Sequence, residues 1–375
     1  MTSYTAKNMS SLQRKLFEKN LASLPPLPPS HSKKSGLKTK KLKQDFSPLS
    51  WSNFFDYSKI IEVEKSSFCL YMRGSTGPVL FLLHGGGHSA LSWACFAEAI
   101  TKLIECRVVA MDFRGHGQTK TDDDTNLSAQ TLVSDVAGVI EALYPDHDVP
   151  IILLGHSMGG AIAVRVAATK GLIPSLVGLV VIDVVEGSAV ESLPSMQSFL
   201  KGLPKNFKSL EHAIEWSVNN GHIKNLMSAK VSMPGQVKRI EPDISDVSPD
   251  APASIPTVQV TQTAHGEPIM EEDEETVQSV IEGEPCVTAE LLMPPPSATP
   301  SKSEQVKYAW RIDLSKTEAY WKGWFEGLSK KFLSIAVPRL LLLAAVETLD
   351  KELTIGHMQG KFQMQVLAGC GHTVP

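Results

Sequence analysis

The apolar run Ile151-Ile-Leu-Leu breaks into Gly155-His-Ser157-Met-Gly159 and resumes at once as a small-residue stretch running through Ile162 to Ala168. A β-branched strand, a G-x-S-x-G turn and a helix rich in alanine, in that order, make a nucleophile elbow. Gly155 and Gly159 leave room for a strained strand-to-helix turn, which lifts Ser157 Oγ to the C-terminal edge of a sheet. The backbone N–H groups that open the helix then face the site, Met158 first. Ser157 is therefore the first candidate nucleophile, and the strand before it belongs in a buried sheet.

A second run, Pro78-Val-Leu-Phe-Leu-Leu-His84, ends in Gly85-Gly-Gly87-His88. A glycine loop after an early strand is where this architecture donates a backbone N–H to an oxyanion. Gly86 is the expected donor, with Gly87 as the alternative, and the Met158 N–H is the second. His84 and His88 stand four apart, as a metal pair on a helix would. Every intervening position is glycine, so a helix is disfavoured and no metal is expected there.

From Val79 onward strands and helices alternate. Arg107 to Asp112, Leu176 to Ile182, Arg339 to Val346 and Lys361 to Leu367 read as further strands, and Leu127 to Tyr144 as an amphipathic helix with Ser128 as N-cap. Alternation of this kind means a mostly parallel central sheet with helices on both faces. Ser195 to Met227 has helical spacing and is expected to lie over the strand ends as a cap. The aromatics of Tyr308-Ala-Trp310 and Tyr320-Trp-Lys-Gly-Trp-Phe325 are expected first in core and cap packing and second in a substrate wall. Composition divides the chain into a disordered basic, Pro-rich arm (1–44), a first core part with cap helices (45–233), a disordered acidic insert (234–307) and a second core part (308–375).

With 42% hydrophobic and 20% charged residues in 375, the chain suits one large core, and a net charge of −4 gives no reason to expect a nucleic-acid partner. No apolar run approaches a membrane span. Five cysteines, odd in number and without a C-x-x-C pair, point to reduced thiols in the cytoplasm and nucleus. The basic run Lys38-Thr-Lys-Lys-Leu-Lys43 is a candidate nuclear-import signal beside its plainer reading as a solvated tail.

A serine nucleophile needs an acid and a histidine later in the chain, in that order. His372, in the Gly369-Cys-Gly-His372 turn after the last strand, is the strongest base. His212, His222 and His357 look like surface residues, and the His156 side chain should point away from the serine. The acid has candidates at two strand ends: Glu347 and Asp350 after the penultimate strand, and Asp183 at the tip of Leu176 to Ile182. An isolated carboxylate at an apolar strand tip is costly unless hydrogen bonds hold it, which suits an acid paired with imidazolium.

Several segments together resemble one family. These are Asp45-Phe-Ser-Pro48, His84-Gly-Gly-Gly-His-Ser-Ala-Leu-Ser-Trp93, Gly155 to Val164, Ile182-Asp-Val-Val-Glu-Gly187, Ala213-Ile-Glu-Trp-Ser217, Tyr320 to Phe325 and Leu353 to Val366. The chain, from about Asp45 and apart from the insert, is similar to the eukaryotic protein phosphatase methylesterases. The resemblance implies an α/β-hydrolase fold. It also implies removal of the methyl ester from the C-terminal leucine of the type-2A protein phosphatase catalytic subunit, without a cofactor. It places the acid on Asp183, giving a triad of Ser157, Asp183 and His372. Val277-Gln-Ser-Val280-Ile-Glu282 is loosely similar to the L-x-x-I-x-E motifs read by regulatory subunits of those phosphatases, against the plainer reading of a solvated linker. Family members continue past the histidine turn into a terminal helix, whereas this chain stops at Pro375, so it is expected to lack that cover. A phosphatase-binding regulator without turnover and a general small-ester hydrolase are the alternatives. Epoxide and haloalkane hydrolases are disfavoured because they use a carboxylate where this chain has Ser157.

Overall fold

Strand β3 (Val79–Leu83) shows how the sheet is buried. Val79, Phe81 and Leu83 pack into one apolar cluster while Leu80 and Leu82 pack into another. Side chains alternate across a strand, so a run that is apolar at every position must be covered on both faces. The same division holds in β4 (Arg107–Met111), where Val109 and Met111 oppose Val108 and Ala110. It recurs in β5 (Ile151–His156), where Ile151 and Leu153 oppose Leu154.

The structure, a computed structural model, describes residues 44–240, 307–344 and 349–367. The central sheet adds β1 (Tyr57–Val63), β2 (Ser66–Arg73), β6 (Leu176–Ile182), β9 (Arg339–Leu343) and β10 (Gln363–Val366). Its order is β1-β2-β4-β3-β5-β6-β9-β10; β2 runs antiparallel to both its neighbours, β1 and β4, and every other pairing is parallel. Helices α1 (Ala94–Leu103) and α2 (Ala129–Leu143) precede the elbow helix α3 (Met158–Ala168). Ala94 and Ala97 of α1 join one core face, whereas Leu132, Val136 and Val139 of α2 and Ala161 and Val164 of α3 join the other. Ser128 caps α2 as its position suggested, accepting the Thr131 N–H at 3.3 Å.

Helices α4 (Glu186–Lys201), α5 (Leu210–Asn219) and α6 (Leu226–Gln236) come next, and then β7 (Val237–Ile240) pairs antiparallel with β8 (Lys307–Trp310). Phe207, Ile214, Ile223, Met233 and Val237 form a third apolar cluster among these elements. The remaining helices are α7 (Glu318–Phe325), α8 (Leu328–Ser334) and α9 (Lys351–Met358). Glu186 ties the start of α4 to the start of α8: its two carboxylate oxygens accept the Gly327 and Ser329 N–H groups at 2.8 and 2.9 Å.

The structure extends the sequence reading in three places. β1 and β2 precede the first strand read from the apolar pattern; four of the seven β1 positions in a row are exposed, so no continuous run marks it. The first cap helix begins at Glu186 rather than Ser195, and regular structure continues to Ile240 rather than stopping at residue 233. The strand read as Arg339 to Val346 is described to Leu343. The basic arm to residue 43, residues 241–306 with the Val277–Glu282 motif, Glu347, Cys286, Cys370 and His372 lie outside the described residues. Among the described residues no helix is long and apolar enough to cross a membrane.

Arg114 forks onto Asp135 of α2 at 2.6 and 2.7 Å, with both side chains at least nine-tenths buried. Removing one partner leaves an uncompensated buried charge. Asp135→Ala should lower unfolding stability by about 3 to 5 kcal/mol in urea titrations, and a loss below 1 kcal/mol would contradict this account of the pair.

Candidate active site

Ser157 sits between β5 and α3 with φ 52° and ψ −121°, in the sparsely populated half of backbone space. A Cβ on Gly155 would strike the Gly159 carbonyl oxygen, and one on Gly159 would strike the Leu83 carbonyl. The elbow therefore needs glycine at both positions for close approach. The strained turn is held by the Ser157 N–H, which donates to Ile182 O at 3.0 Å, and by the Ala161 N–H, which donates to Ser157 O at 3.1 Å. Strain of this kind costs about 1 to 3 kcal/mol and persists where surrounding structure enforces it.

Asp183, at the end of β6, shares the feature, with φ 52°. Besides Ser157 and Asp183, the described non-glycine residues with positive φ are Glu64 in the β1–β2 turn and His147 in a loop. The Asp183 N–H donates to Leu342 O at 2.8 Å, and its Oδ1 accepts the Ala344 N–H at 2.9 Å. That carboxylate is thus fixed between the ends of β6 and β9. Asp350 is committed elsewhere: it caps α9 through the Leu353 N–H at 2.9 Å and accepts the Ser329 hydroxyl on its other oxygen. His372 and Glu347 are not among the described residues.

The glycine loop and the elbow meet in one cavity of about 980 Å³, whose lining includes Gly86, Gly87, Ser157 and Met158. A Cβ on Gly86 would lie 3.7 Å from Met158 Sδ, so the glycine loop packs against the Met158 side chain. Much of the remaining wall is apolar, with Phe199, Leu200, Trp310, Leu314 and Trp321 among its residues. The two roles weighed for the aromatic clusters coexist. Trp321, Trp324 and Phe325 are buried in the core cluster and also border the cavity. The two indole nitrogens are anchored, Trp324 Nε1 donating to Leu127 O at 2.7 Å and Trp321 Nε1 to Thr317 Oγ1 at 3.1 Å.

One histidine reading changes. His222 is not a surface residue: it lines the cavity, stacks on the His88 ring with centroids 5.8 Å apart and planes 3° from parallel, and packs against Trp216 and Trp310. Burial pushes its pKa below the usual imidazole value, with a Gln236 hydrogen bond opposing. Its contacts with His88 and Trp310 join segments distant in sequence. His156 also borders the cavity, its ring 6.2 Å from that of His88. His212 and His357 are exposed, as read.

His84 is structural: its Nε2 accepts the Phe113 N–H at 3.1 Å, leaving Nδ1 to donate to Gly85 O at 2.8 Å. Full burial, with the His116 ring beside it, holds it well below the ordinary histidine pKa and therefore neutral. Among the described residues no three His, Cys, Asp or Glu side chains are grouped to hold a metal.

Known proteins agree with this geometry. Residues 80–375 match the Alpha/beta hydrolase family. Among solved structures, E-2-(acetamidomethylene)succinate hydrolase superposes with a TM-score of 0.57 at 14% identity, covering 84% of this chain and 92% of that one. The thioesterase domain from the curacin biosynthetic pathway gives 0.53 at 18% identity, covering 84% and 94%. Both show the fold alone. Protein phosphatase methylesterase 1 of Bos taurus is 52% identical over 376 residues, spanning 98% of this chain and 92% of the relative. The Homo sapiens protein of the same name is 51% identical over 98% and 91%. With an elbow serine, a glycine loop beside it and identity at this level along nearly its whole length, the chain belongs to the protein phosphatase methylesterase family of alpha/beta hydrolases.

Proposed function

We propose that the chain is a serine carboxylesterase that removes the methyl ester from the C-terminal leucine of the type-2A protein phosphatase catalytic subunit. Its family fixes the reaction class as ester hydrolysis, and the relatives' name supplies the phosphatase as substrate. The observation that carries the reading is the strained Ser157 at the elbow, opening on an apolar cavity beside Gly86 and Met158.

In this mechanism Ser157 Oγ attacks the ester carbonyl while His372 takes its proton, and Asp183 holds the imidazole in the required tautomer. The oxyanion rests on the Gly86 and Met158 N–H groups. His372 returns the proton to the departing methoxide, so methanol leaves. Water, deprotonated by His372, then cleaves the acyl-enzyme to the free carboxylate and restores Ser157. The apolar wall takes the leucine side chain. An odd number of cysteines without C-x-x-C pairing supports a reducing compartment, cytoplasm and nucleus, which would bring enzyme and phosphatase together.

A fluorophosphonate probe should label Ser157, which a binding-only regulator would not allow. Turnover of a methylated phosphatase tail peptide should exceed that of simple methyl esters in kcat/KM. Equal values would favour a general small-ester hydrolase.

A further inference from the structure

The segment after β4 grips the glycine loop at three points. Phe113 N–H donates to the His84 ring. His116 Nε2 accepts the Gly87 N–H at 3.0 Å, and Asp112 Oδ1 accepts the Ala90 N–H at 2.7 Å. Each gripping group is itself fixed. His116 Nδ1 lies 2.8 Å from Arg114 O, which assigns the proton to Nδ1 and leaves Nε2 as an acceptor. The other Asp112 oxygen accepts the Gln118 N–H at 2.9 Å, and the His84 and His116 rings pack edge to face at 5.0 Å. Both imidazoles and the carboxylate are buried.

The consequence falls on the oxyanion. An N–H already given to His116 is not available to a developing charge, so Gly87 is excluded as the donor. Gly87 lies at φ +76°, a conformation that favours glycine, and this turns the loop so that its N–H reaches back to His116. Gly86, one residue earlier, faces the cavity and the Met158 side chain. We infer that His116 is a positioning residue for ester hydrolysis: by accepting the Gly87 N–H it sets the glycine loop so that Gly86 supplies the oxyanion contact. The inference rests on the reading of Ser157 as an esterase nucleophile. Burial, opposed by the Arg114 carbonyl and by Asp124, pushes the His116 pKa down to about 4, so the acceptor nitrogen stays unprotonated at neutral pH.

The test compares His116→Gln, whose amide oxygen reaches the Nε2 position, with His116→Asn, whose oxygen stops near Nδ1. Turnover of p-nitrophenyl acetate and the rate of fluorophosphonate labelling are measured alongside thermal midpoints. His116→Asn should lower kcat by ~10- to 100-fold with KM nearly unchanged, because a misplaced donor weakens the transition state and leaves ground-state binding intact. His116→Gln should recover most of that loss while melting close to His116→Asn. Equal activity of the two variants, a change confined to KM, or losses that simply follow the midpoints would overturn the inference. A wild-type chain that neither turns over the ester nor takes the label would instead sink the esterase reading, and this inference with it.

Discussion

Ser157→Ala will reduce ester hydrolysis by about 10⁶ in kcat while the thermal midpoint and phosphatase binding stay close to wild type. Nucleophile, base and orienter act as a unit, so losing the serine costs about as much as losing all three. The fold should tolerate the change because the bonds that hold the elbow, Ser157 N–H to Ile182 O and Ala161 N–H to Ser157 O, belong to the backbone. Alanine faces the same positive φ as serine and adds no new clash. Steady-state kinetics beside a melting curve decides the matter, and near wild-type turnover would remove Ser157 from the mechanism.

The next largest effect is expected at Asp183. Asp183→Asn should lower kcat by roughly 10⁴, because an amide donor in place of a carboxylate favours the wrong imidazole tautomer. Glu347→Gln should change it little. The asparagine carbonyl retains the acceptor for the Ala344 N–H, which Asp183 Oδ1 now takes at 2.9 Å, so the strand ends should remain joined. Kinetics of both variants on one methyl ester provide the comparison. A larger loss at Glu347 would move the acid to the end of β9.

The parts of this account legible in the sequence are those with a strong local signature. The elbow and the β3 glycine loop each couple a fully apolar strand to glycines that permit close backbone approach, and both stand where the pattern placed them. The central strands were readable because burial on both faces leaves no polar alternation to confuse with a surface strand. β1 was not, since Tyr57, Ser58, Lys59 and Ile60 are all exposed on an edge strand. His222 was misread for a different reason: its ring neighbours, His88, Trp216 and Trp310, come from three separate segments, and no local pattern announces a wall built from tertiary contacts. The ties from His116 and Asp112 to the glycine loop are likewise long-range, spanning 29 and 22 residues. The choice of acid lay between two strand ends until the resemblance favoured Asp183. Its positive φ and its bond to Ala344 now support that choice.

The most direct test of the central claim is intact-mass spectrometry of the type-2A phosphatase catalytic subunit, methylated at its C-terminal leucine and incubated with catalytic amounts of the purified 375-residue chain. The methyl group should be lost at multiple turnovers, with no loss when Ser157→Ala replaces the wild type. A phosphatase that keeps its methyl ester while the chain remains folded and bound to it would contradict the claim.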